Sequence, residues 1–228
     1  MTAFVGAERL FEWSVVGALG GLAILGIGRG VMLRARGVRI FAIDRERTVS
    51  EGLADIGFVL SFLLWVYETL AFALPLGRHV VPAPTRALVL GVITAKVLGM
   101  LAMSAGLIVY ALALRALGAS WRLGIDRDRP GPLVTGGIFG RSRNPIYLGL
   151  TLLAAGVFLV LDRLILLLLA IVFAVYFQHL SRREERFLAR HFGDAYRTYA
   201  EGVGRWWTWR RHEGRCTERQ KPTTDYTD

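Results

Sequence analysis

Cysteine is nearly missing from this 228-residue chain. Cys216 stands alone, which excludes an intrachain disulfide and any cysteine-rich metal site. Lysine is almost as scarce, with Lys96 and Lys221 against twenty-six arginines. The four histidines are dispersed and form no ligand cluster, so no metal is expected. There is no internal repeat and no glycine-rich dinucleotide fingerprint. A basic leader is lacking too: Glu8, Arg9 and Glu12 precede the first apolar run, so that run is read as a retained helix and not a cleaved signal.

What the chain has in excess is apolar surface. Hydrophobic residues make up 54% of it, above the 45–50% usual for soluble domains, and the mean hydropathy is +0.43. The apolar residues are clumped, not periodic, which points to a bilayer. Five runs stand out: Ser14 to Leu33, Leu53 to Leu76, Ala87 to Leu114, Ile146 to Leu161 and Leu164 to Leu180. The first three reach the roughly 20 residues needed to span hydrocarbon. The last two are shorter, are separated only by Asp162-Arg163, and read as a tight helical hairpin. The fold class is therefore all-α integral membrane with about five spans, followed by cytoplasmic amphipathic helices.

The formal net charge of +10 would suggest nucleic acid in a soluble protein. Here its distribution explains it. With the N-terminus placed outside, the cytoplasmic segments hold twenty-two Lys and Arg and the outer segments four. That bias sets the C-terminus in the cytoplasm, and no nucleic-acid partner is needed. Anionic lipid headgroups are the expected electrostatic partner. Residues 210–228 are polar and charged with little to bury, and are expected to be disordered.

Ionisable residues inside spans are functional candidates by default. Glu68 and Lys96 sit at similar depths on adjacent helices and are expected to pair. Arg29 and Asp55 lie near the cytoplasmic end, within reach of water or of each other.

Chemistry is expected where polar residues converge, on the cytoplasmic face of the C-terminal half. Asn144-Pro145 is an efficient helix start: Asn accepts from first-turn amides and Pro presets φ. Free amides beside Arg143 form an anion site suited to a carboxylate or phosphate. Gly136 and Gly137 let backbone approach a ligand. Glu184 and Glu185, one turn past the last run, can bind hydroxyls, an amino group or a cation; the alternative is a solvated, salt-bridged helix. Gly193 breaks that helix and Asp194 can cap the next, where Tyr196, Tyr199 and Val203 fall on one face, packed over the loop or on the membrane surface.

The pattern "LVTGGIFGRSRNPIYLG … RREERFLARHFGDAYRTYAEGVGRW" resembles the isoprenylcysteine carboxyl methyltransferase family, a branch of the integral-membrane methyltransferases that also include phospholipid methyltransferases. Arg143, Asn144, Pro145 and Tyr147 match its R-H-P-x-Y element, Glu184 and Glu185 its paired acid, and Gly137 the glycine of its turn. An F-G-x-x-Y-x-x-Y element and a V-x-R close follow. Asn144 stands where the family has histidine, and Ile138-Phe139 where it has Pro-Tyr, features that look like the bacterial branch. The resemblance covers about Leu133 to Trp206, a third of the chain.

It implies a three-span region over 1–114, a methyltransferase-like region over 115–209 and the tail. It implies S-adenosylmethionine as cofactor, bound by Gly137, Arg143, Asn144, Pro145, Tyr147, Leu148, Glu184 and Glu185. Arg182, Arg183 and Glu185 are the catalytic candidates, the arginines to orient an acceptor carboxylate. The acceptor is a lipophilic small molecule or lipid: an isoprenylcysteine-like carboxylate, a lipid amine, a thiol or a terpenoid carboxylate. A bacterial inner membrane is the expected location. A non-catalytic lipid-binding or assembly subunit of the same fold, and a sterol-reductase-like oxidoreductase, are the alternatives.

Overall fold

The computed structural model describes residues 2–37, 48–74, 78–118 and 131–209, with side chains from residue 8 onward. The expected disorder of residues 210–228, and the Pro75-Gly77 stop of the second run, lie outside the described residues.

Six α-helices carry the fold: α1 (Thr2–Ala35), α2 (Val49–Ala73), α3 (Ile93–Leu117), α4 (Pro145–Leu161), α5 (Leu164–Phe192) and α6 (Asp194–Gly202). Short 3-10 turns occupy Ala83–Arg86 and Gly137–Gly140. Among the described residues there is no strand, only one antiparallel bridge between Leu88 and Arg163. Four helices, α1, α2, α3 and α5, are long and apolar enough to cross a membrane. The chain is an all-α membrane protein.

The fourth apolar helix, α4, has 17 residues, about 26 Å at 1.5 Å per residue. That is less than the roughly 30 Å hydrocarbon core. It is the buried centre of the bundle: Leu153, Ala154, Val157, Val160 and Leu161 are all shielded. Its neighbour α3 packs against it through two glycine pairs. A Cβ at Gly106 would lie 2.6 Å from the Gly149 carbonyl, and one at Gly99 would lie 2.7 Å from that of Gly156. Such contact replaces side-chain packing with close backbone approach, the usual way membrane helices associate tightly.

The chain passes from α2 to α3 differently from the hydrophobic reading. α3 begins at Ile93, not at Ala87, because residues 87–92 are non-helical and drawn onto the hairpin tip. There Asp162 adopts a left-handed φ of 53°, and its carboxylate accepts from the amides of Val89 (3.2 Å), Leu90 (2.8 Å) and Gly91 (2.5 Å). The two-residue separator that makes the hairpin thus also anchors the preceding loop.

Glu68 and Lys96 do not pair with each other. Glu68, fully buried, accepts from His79 Nδ1 at 2.8 Å and from the amides of Val80 and Val81 at 2.8 and 3.2 Å. Lys96 pairs instead with Glu8 of α1. A carboxylate this deep is satisfied by the nearest donors, the loop leaving its own helix. Asp55 accepts from Tyr176 of α5 at 2.7 Å, and Arg29 Nε is buried without a hydrogen-bond partner.

Candidate functional site

Three segments meet below α4. The turn 141–144 lies along residues 204–208: Arg143 N donates to Gly204 O (3.1 Å), Asn144 N to Arg205 O (3.2 Å) and Thr208 N to Arg141 O (2.7 Å). The buried Ser142 hydroxyl donates to the Arg205 carbonyl and accepts from Asn144 N. Gly137 takes φ 63°, a conformation glycine adopts without strain, at the start of the 3-10 turn. α6 folds back over that turn, with Tyr199 donating to the Phe139 carbonyl at 2.7 Å and Tyr196 buried. Gly193 (φ 54°) supplies both the end of α5 and the N-cap of α6, so Asp194 falls one residue inside and pairs with Arg197.

Asn144 does occupy the N-cap position of α4, but its side chain makes no capping bond. Its amide donates instead to Glu185 Oε1 at 2.9 Å. A carboxylate competes better for a donor than first-turn geometry competes for an acceptor. The expected capping role is therefore corrected, and the turn is held by Ser142.

Glu185 is the hub of the wall. Arg205 grips it with two bonds, Nε to Oε1 and a terminal nitrogen to Oε2, both 2.8 Å. Arg143 approaches Oε2 at 3.5 Å. Glu184 is less neutralised: its hydrogen bond comes from the Tyr147 hydroxyl at 2.5 Å. Tyr147 in turn stacks on Phe177, with centroids 5.4 Å apart. Burial, followed by the Glu185 charge, pushes the Tyr196 hydroxyl up to about 12. Burial also raises Tyr199. Both are thus neutral donors at ordinary pH, unfit as bases. The bond to Glu185 raises Arg205 further.

These residues wall one end of a cavity of about 1020 Å³. On α1 its lining runs from Leu19 to Arg34, about 22 Å along the axis. The far end is apolar and aromatic. Phe58 and Tyr176 stack at 4.1 Å, and Phe173 meets Phe58 and Trp65 edge-on. Of the sequence-predicted residues, Arg143, Asn144, Pro145, Tyr147, Glu184 and Glu185 line this cavity. Gly137 and Leu148 are not among the lining residues. Arg182 is exposed, and Arg183 is buried in a 3.1 Å ion pair with Glu51 of α2; neither is among the lining residues. Arg205 enters the sequence pattern only as the end of a motif, and its position twenty residues after the paired acid is its one signal. Among the described residues no group of His, Cys, Asp and Glu is placed to hold a metal.

A polar wall of paired acids and arginines thus stands beside an aromatic chamber inside an all-α bundle. The family model described as phospholipid methyltransferase matches residues 94–195, from the second residue of α3 to the second of α6. That segment lies in the same wider group as the motif resemblance; α1 and α2 lie outside it. No curated protein matches the chain in sequence.

Proposed function

We propose that this chain transfers a methyl group from S-adenosylmethionine to a lipophilic acceptor at the cytoplasmic end of the bundle. The observation that carries the reading is a continuous cavity whose one end is charged and whose other end is apolar. Two ligands of opposite character fit such a space without crossing a barrier.

The residues present fit the cofactor. Arg143 and Tyr196 are neighbours that interact on the cavity wall, a guanidinium and a phenol whose Nε and hydroxyl are buried there and suited to donate to a carboxylate. Glu184, spared the double arginine grip that neutralises Glu185, suits an ammonium or a ribose hydroxyl. When bound, S-adenosylmethionine supplies an electrophilic methyl on a cationic sulfur. Glu185, held from three sides, fixes the spacing between the α4 start and the 204–208 segment. The stacked Tyr147 and Phe177 line the cavity beside the charged wall, and the aromatic lining of the chamber would orient an acceptor. Positioning of this kind supplies much of the rate in a displacement between two bound reactants.

The acceptor is a lipid or small amphiphile whose reacting group is a carboxylate, amine or thiol. Incubation with methyl-labelled cofactor and a total lipid extract is expected to yield one labelled lipid product, whose identity names the acceptor. No labelled product, together with no binding of S-adenosylhomocysteine in detergent or bilayers, overturns the reading.

A further inference from the structure

Beside the cavity, α1 and α3 form a second feature. A groove of about 370 Å³ is lined by Ile24, Leu25, Gly28, Arg29 and Met32 of α1 and by Leu114 and Arg115 of α3. Arg29 and Ile24 stand seven residues from the cavity-lining Leu22 and Val31 and so border that face of α1, but none of the groove's residues lines the cavity. The groove is therefore separate from the candidate active site.

Its chemistry is specific. Two guanidinium groups stand among apolar walls, and among the described residues neither is in an ion pair. Arg29 Nε is buried and unpartnered. Arg29 lies six residues before the end of α1, about 9 Å inside it, while Arg115 lies two residues before the end of α3. An intramembrane arginine without a carboxylate is costly unless an anion reaches it. Ile24 is 74% exposed and Met32 37% exposed, so the groove faces whatever surrounds the bundle.

We propose that this groove binds one anionic phospholipid, its phosphate held between Arg29 and Arg115 and an acyl chain along Ile24 and Leu25. The apolar walls favour a lipid over free phosphate, and two cations favour a net-negative headgroup over a zwitterionic one. The bound lipid would fasten α1 to α3.

The test is lipid titration of the purified full chain in detergent, read by native mass spectrometry. Phosphatidylglycerol and phosphatidylcholine of identical acyl chains are compared. Phosphatidylglycerol is expected to bind at least fivefold more tightly. Arg115→Gln and Arg29→Gln are expected to abolish that preference, and Arg29→Lys, which keeps the charge, to retain it. Arg190→Gln, the same charge loss on exposed α5 surface, is expected to leave it intact. If Arg29→Gln fails to fold, Arg115→Gln, on an exposed side chain, decides alone. Equal binding of the two lipids overturns the proposal. So does an equal loss in Arg190→Gln, which would mean diffuse electrostatics, or displacement of the lipid by millimolar inorganic phosphate, which would mean an anion site only.

Discussion

The two adjacent glutamates look equivalent in sequence and are not equivalent in structure. Glu185 has both oxygens committed to Arg205, Arg143 and Asn144, whereas Glu184 accepts its hydrogen bond from a neutral donor, Tyr147. Glu185→Gln removes one charge of a largely shielded pair and strands Arg205. A loss of about 1–3 kcal/mol is expected, seen as a lowered melting temperature. Glu184→Gln keeps the Tyr147 bond and the shape, so stability should hold while S-adenosylhomocysteine affinity falls at least tenfold, about 1.4 kcal/mol. Isothermal titration and thermal unfolding on the same preparations separate the two roles; the reverse pattern would exchange the assignments. The paired acid itself was legible because two carboxylates beside a span demand partners. Which partners was not, since Arg205 arrives through backbone pairing of the 204–208 segment, a contact no local spacing encodes.

At the level of elements, hydrophobic run length located the five apolar helices but misjudged several of their ends, and α6 was legible only from its amphipathic spacing. α2 starts at Val49 because Thr48 and Glu51 form a capping box, a signal in plain sight that hydropathy ignores. α3 starts late because Asp162 holds the loop before it. Asp162→Ala removes three charge-assisted bonds and leaves alanine at φ 53°. It should cost more than Asp162→Asn, which tolerates that conformation. Each such bond contributes about 1.5–3 kcal/mol, so thermal unfolding resolves the order; equal losses would mean that the charge lost in both variants carries the effect and that the left-handed φ and the remaining acceptor contribute nothing. The α3–α4 seam is the stricter element. A Cβ at Gly156 would sit 2.6 Å from Gly99 O and from Met103 Cγ, so Gly156→Ala must push α4 away from α3. Overpacking of this kind costs about 1–3 kcal/mol or more. Gly57→Ala, with nothing within 4 Å, is its control and should be neutral or slightly stabilising, as alanine is the better helix former. Monodisperse elution after detergent extraction is expected for Gly57→Ala and lost for Gly156→Ala. Glycine content was readable in sequence, but the seven-residue offset that matches Gly99 with Gly156 and Gly106 with Gly149 acquires meaning only once α3 and α4 are known to face each other.

Across the whole molecule, sidedness follows from few assumptions. The α4–α5 hairpin leaves from and returns to one side, so whether its short first arm fully crosses does not alter the parity. Three helices before it, α1 to α3, put the candidate site on the side opposite the N-terminus. On the proposed function that side is the cytoplasm, where the cofactor would be found, and the arginine distribution agrees with it. The chain's lone cysteine offers a direct test. In spheroplasts of a bacterial host, a membrane-impermeant maleimide should leave Cys216 unlabelled until the membrane is disrupted. In a Cys216→Ser background, Ala83→Cys places a thiol on the exposed turn between α2 and α3. That thiol should be labelled in intact spheroplasts. Labelling of Cys216 from outside would invert the orientation and put the Arg143–Glu185 wall where no S-adenosylmethionine pool reaches it. Labelling of both thiols from outside would break the count of three crossings before the hairpin.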